Sequence, residues 1–222
     1  MAEEKEKELR EEKEEFEKVF AILERLLLGS GVNIYIWEQL HPTEKVVATL
    51  NQYKGFFVHT RSAHVDGFIL KVSDILSNSA TAPSFYRILN MIGMNESLAP
   101  GLNGGEIKKR LRKHKEVLEA TKEWRNKRVA HWDTSVDKLE KSVFLGPAKK
   151  MLAELQGISN KISASHSGGK IHAFRYLEQG DINRLLEALK RKRDLDKKLI
   201  EYLKSNKECQ DVILSLMNVG GF

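Results

Sequence analysis

No stretch of this chain alternates apolar and polar residues for more than four or five positions, so the pattern that a half-buried β-strand requires is missing. Apolar residues recur instead at steps of three and four. Within residues 1–29, Leu9, Phe16 and Leu23 stand seven apart, with Val19, Phe20, Leu26 and Leu27 between them. That is an amphipathic helical stripe at the a/d period. Residues 56–77 form the most continuously apolar segment, with Phe57, His64, Phe68, Val72 and Ile75 on one helical face. These patterns predict an all-α protein.

The helical pattern breaks where the breaker residues fall. Gly29-Ser30-Gly31 predicts the end of a first helix whose leading fifteen residues, nearly all Glu and Lys, are solvated. A second helix is expected from about Asn33 to Asn51, limited in its middle by Pro42, and Tyr53-Lys54-Gly55 marks the next break. Residues 56–77 are the expected central core helix. Arg61, His64, Asp66 and Asp74 interrupt its apolar face, and a lone histidine there is expected to be a satisfied structural one. A loop over 77–83 hands over to a short helix, Ser84–Ile92, and the Gly- and Pro-containing stretch 93–105 reads as a connector. Its Gly-Leu-Asn-Gly-Gly lacks the GxxxxGK[ST] order of a phosphate-binding loop. A long helix is expected from Glu106. Gly146-Pro147 restarts a helix, and the Ser/Gly-rich stretch 163–169 reads as a linker. The domain expectation is a bundle over 1–166 followed by a C-terminal helical segment, 167–222. In that segment Asp181 is expected to cap one long helix, and residues 207–217 to form a terminal one.

At 222 residues the chain can bury one good core with an appendage. The single Cys209 rules out an intramolecular disulfide and any cysteine-based zinc site. HExxH is absent and no carboxylate and histidine cluster has convincing metal spacing, so no metal and no cofactor is expected. The charged N-terminus has no apolar signal-peptide core. No apolar run is expected to reach bilayer length, which predicts a cytoplasmic protein with no membrane partner.

Charge is concentrated in one place. Ten Lys and Arg lie between Lys108 and His131 against three Glu, a local charge of +7 in a chain whose total is +6. A strip of one sign is the footprint of a polyanion binder. Lys108, Lys109, Arg112, Lys113, Lys115 and Arg128 are the candidate phosphate contacts, with a solvated helix face as the alternative.

The strip runs into Trp124-Arg125-Asn126-Lys127-Arg128-Val129-Ala130-His131-Trp132-Asp133. An arginine, an asparagine and a histidine here fall within seven residues. On a straight helix, at ~100° per residue, Arg125 and His131 are separated by about 240° of rotation and share no face. Either the helix ends or distorts near Val129, turning His131 back, or each chain of a dimer supplies its own pair from either side of a dyad. Arg128 and His131 do share a face, so Arg128 is an alternative arginine. Trp132 is expected to pack, and Asp133 to stop the helix or orient His131.

Arg125-Asn126-(four residues)-His131 resembles the signature of the HEPN superfamily, and its RNK..AH.D form resembles the abortive-infection branch. The resemblance implies an antiparallel helical bundle, a homodimer, and a metal-independent ribonuclease whose site is completed across the dimer. It implies Arg125, Asn126 and His131 as the catalytic set. The setting it implies is a toxin–antitoxin or antiviral defence system, with an antitoxin or regulatory protein as a further partner. The residue types suit that chemistry. A histidine near its ordinary pKa can take the proton of an RNA 2′-hydroxyl. An arginine fork can hold the phosphate as charge builds on it. The other reading is a non-catalytic helical module that binds RNA, a nucleotide or a partner protein.

Overall fold

The computed structural model describes residues 2–41, 43–44, 46–129, 143–167 and 180–206. Every regular element among them is helical. α1 spans Ala2–Gln39, α2 Val47–Gln52, α3 Lys54–Ile75 and α4 Phe85–Met94. A 3₁₀ turn follows at Glu96–Leu98. α5 is Gly104–Arg112 and α6 Lys115–Trp124, and a π-helical turn continues α6 over Arg125–Val129. α7 runs Leu145–Ser167 and α8 Asp181–Ser205. The all-α expectation holds. The chain divides into a larger unit, Met1–His41 with Val58–Leu177, and a smaller one, Pro42–Phe57 with Glu178–Phe222.

In the larger unit α1 is the axis. Its buried positions include Phe16, Val19, Phe20, Leu23, Leu27, Ser30, Ile34 and Trp37, the three- and four-residue steps of one helical face. Cross-pairs give the helix directions. Asn33 and His64 meet at 3.0 Å and tie α1 to α3, while the next contact up the pair sets Gly29 against Lys71. Glu15 bonds Arg87 at 2.6 Å, and Glu12 accepts from Asn95 at 2.7 Å, on α4 and just past it. Glu38 pairs with Lys149, and Glu17 with His166, on α7. In each case rising numbers on α1 meet falling numbers on the partner, so α1 is antiparallel to α3, α4 and α7. Phe16, Phe68, Phe85, Ile88, Met151 and Leu155 are fully enclosed in the shared core.

Several boundaries differ from the sequence expectation. The helix does not break at Gly29-Ser30-Gly31 but runs on to Gln39. Each helical glycine costs about 1 kcal/mol of propensity, but the face carrying Leu27, Ser30 and Ile34 is buried, and Ser30 donates to the Leu26 carbonyl at 2.8 Å. A Cβ on Gly29 would stand 2.7 Å from Lys71 Cε, so the glycine admits a close neighbour there. The helix expected from Asn33 to Asn51 is therefore the end of α1 plus the short α2. Residues 163–167 of the expected linker are the last turn of α7, with Ser163 buried. α1 is also long and apolar enough to cross a membrane by length and composition, contrary to the expectation that no segment would be. Its apolar face supplies the core.

In the smaller unit α2 packs on α8, with Thr49, Leu50 and Leu186 buried. Arg193 reaches Thr49 Oγ1 at 3.4 Å. The N-cap of α8 is Gly180, and Asp181 is the first helical residue rather than the cap. As a first-turn acid it still suits the positive end of the helix dipole. The expected terminal helix over 207–217 lies outside the described residues.

Candidate nucleic-acid interface

The basic strip stands on α5, where Asn103 caps the helix by accepting from the Glu106 N–H at 3.0 Å. Ile107 and Leu111 turn inward and are buried. Lys108, Lys109, Arg112 and Lys113 fall within an arc of about 140° on the opposite side. Lys109, Arg112 and Lys113 are exposed and Lys108 is half-buried. These four make no ion pair among the described residues. Three of the helix's cations also lie in its last turn, where they complement the dipole.

Two other cations of the run are engaged. Arg110 is bonded to Glu154 of α7, and Lys115 pairs with Glu119 at 3.6 Å. The Arg110 guanidinium holds the Glu154 carboxyl below its ordinary range, against burial. His114 lies between the two helices, and its pKa is lowered by burial, partly offset by Glu154 and helped by Lys113.

The single long helix expected from Glu106 is broken at Lys113–His114, between α5 and α6. α6 then separates the strip from the motif by about 15 Å, ten residues at 1.5 Å each. Thr121, buried, donates to the Val117 carbonyl at 2.7 Å. Trp124 closes α6 and donates its indole N–H to Asp66 Oδ1 on α3 at 3.1 Å. In the sequence Asp66 reads only as a polar interruption of a core helix.

From Arg125 the winding changes to π-helical. π turns are rare and recur at functional sites. The wider turn means that the rotation computed for a straight α-helix does not apply across the motif. Arg125 and Asn126 are exposed, and Lys127 is tied back to Glu123 at 2.9 Å. Arg128 contributes its backbone to the turn. His131, Trp132 and Asp133 lie outside the described residues.

Beside this turn is an open cleft of about 360 Å³ that sequence reasoning did not find. Trp37 and His41 come from the end of α1 and just beyond it, Val58, Arg61, Ser62 and Val65 from α3, and Trp124 from α6, with Val143. The available signal was Arg61, one of the four polar residues that interrupt the apolar face of the core helix. His64 is the satisfied structural histidine expected, bonded to Asn33, and its pKa is lowered by burial and then by Lys71. Among the described residues no cluster of three His, Cys, Asp or Glu is placed to hold a metal ion.

Comparison with family models, with curated proteins and with solved structures returns no match to this chain.

Proposed function

We propose that the chain is a metal-independent RNA endonuclease that uses Arg125, Asn126 and His131, works as a homodimer, and serves as a growth-arresting effector in a toxin–antitoxin or anti-phage system. The observation that supports it is the presentation of Arg125 and Asn126. Both are exposed on a π-helical turn whose root is braced by the Trp124–Asp66 hydrogen bond. A structural arginine at a helix end has no need of such a turn.

In this reading His131 removes the proton of the ribose 2′-hydroxyl, and the freed oxygen attacks the adjacent phosphorus. The bond to the 5′-oxygen breaks, that oxygen takes a proton from water, and the His131 imidazolium returns its proton to solvent. The products are a 2′,3′-cyclic phosphate and a 5′-hydroxyl. The Arg125 guanidinium holds the phosphate oxygens as their charge increases, and Asn126 orients the phosphate or the imidazole. Lys108, Lys109, Arg112 and Lys113 draw the strand in. Lys115, held by Glu119, contributes less.

A second reading is favoured by one observation. The exposed cations of α5 stand a full helix away from Arg125, as suits a module that binds RNA without cutting it. Total RNA incubated with wild type and with His131→Ala separates the two. The nuclease reading expects fragments from wild type alone, and the binding reading expects intact RNA from both.

A further inference from the structure

The cleft beside Trp124 has the build of a planar-ligand site. Its walls are two indoles, Trp37 and Trp124, with Val58 and Val65. Arg61 and His41 border it. Both indoles are held from outside the cleft. Trp124 is fixed by its bond to Asp66, and Trp37 packs on Phe68 with ring centroids 6.5 Å apart. Rigid aromatic walls lose little entropy when a ligand enters. Arg61 is half-buried and has no carboxylate partner among the described residues. A half-buried guanidinium with no ion-pair partner among the described residues, beside apolar walls, suits a ligand that is flat and apolar on its faces and carries acceptors or a phosphate at its edge. The volume, about 360 Å³, is at the small end of ligand sites.

We infer that this cleft receives one unstacked nucleobase of single-stranded RNA and sets the base preference of the cut. The inference rests on the RNA-cleavage reading, because the residue next to Trp124 in the chain is Arg125. A strand whose base enters the cleft carries its backbone past the exposed guanidinium. Single-stranded RNA is generally recognised in this way, with splayed bases stacked on aromatic rings and arginine planes. Arg61 contacts the base edge or the neighbouring phosphate, and His41 is the second polar group at the rim.

The test uses the full chain and the four nucleoside 5′-monophosphates, followed by tryptophan fluorescence. At least one should quench the emission saturably. Val58→Phe adds bulk at a half-exposed position on the cleft wall without adding a tryptophan, and should weaken that binding about tenfold, the scale of one base–aromatic stack. Arg61→Ala should weaken it as well, with circular dichroism unchanged for both variants. On RNA, the base at the cut position should be less restricted in Val58→Phe than in wild type. Absence of quenching by all four nucleotides, or undiminished quenching in Val58→Phe, overturns the inference whether or not RNA is cut. Quenching that Val58→Phe weakens, in a protein that leaves RNA intact, upholds the base site and counts against the nuclease reading alone.

Discussion

Trp124 at the end of α6 gives its indole N–H to the Asp66 carboxylate of α3, at 3.1 Å. This bond joins the helix that carries the candidate motif to the central core helix, one residue before the winding becomes π-helical. Its loss should loosen the turn. Trp124→Phe keeps an aromatic ring, though a smaller one, and removes the donor, leaving a part-buried carboxylate without that bond. The expected cost is about 1 kcal/mol, read as a lower urea midpoint at unchanged slope. Activity should fall with stability preserved at low temperature, because Arg125 loses its fixed base.

The α5 cations should act through phosphate. Reversing Lys109, Arg112 and Lys113 to Glu removes three exposed positive charges that make no ion pair among the described residues. For single-stranded RNA the slope of log affinity against log salt should shrink by about 2. Filter binding at several salt concentrations measures it. An unchanged slope would leave the strip as a solvated face.

Two glycines should respond in opposite directions to the same substitution. Gly157 lies inside α7, and a Cβ there meets only Arg110 at ordinary contact distance, 3.8 Å. Gly157→Ala should stabilise by about 0.5–1 kcal/mol through helix propensity. At Gly67 the added Cβ would stand 2.8 Å from the Asn33 amide, which is held by His64. Gly67→Ala should therefore destabilise despite the same propensity gain. Thermal melts of the two variants decide it.

The helical frame was legible in the sequence because burial follows the three- and four-residue steps directly, as Phe16, Leu23, Phe68 and Leu155 show. The continuation of α1 through Gly29-Ser30-Gly31 was not. Its cause is the burial of the face carrying Leu27, Ser30 and Ile34 against the rest of the bundle, and no local rule contains that. The serines at 163–167 failed for the same reason, since Ser163 is buried in the bundle. At the candidate site, Arg125 and Asn126 were legible as a motif and are exposed. The break at Lys113–His114 and the π turn were not, because no glycine or proline marks either. The cleft brings together residues 37, 41, 58, 61, 62, 65, 124 and 143, a juxtaposition that exists only after folding.

Stability should fall in two stages on acidification. Burial lowers the pKa of His64 and of His114 from 6.5, so the unfolded chain takes up these protons first. Stability is then full above pH 6.5 and declines as pH drops through that value toward the folded pKa. Glu154, depressed below 4.5 by Arg110, contributes stability above its ordinary value and loses it as pH falls through the folded one. Denaturation midpoints against pH should show both stages. His64→Gln with His114→Gln should flatten the first, and Glu154→Gln the second.

Cleavage by Arg125 and His131 through the ribose hydroxyl is tested most directly with one RNA oligonucleotide and its copy carrying a single 2′-deoxy sugar at the cut position. Wild type should cut the first to a 2′,3′-cyclic phosphate and a 5′-hydroxyl, and should bind the second equally well but leave it whole. His131→Ala should bind both and cut neither, and Arg125→Ala should lose cutting and some affinity together. Cleavage of the deoxy copy, or undiminished cleavage by His131→Ala, would contradict the account.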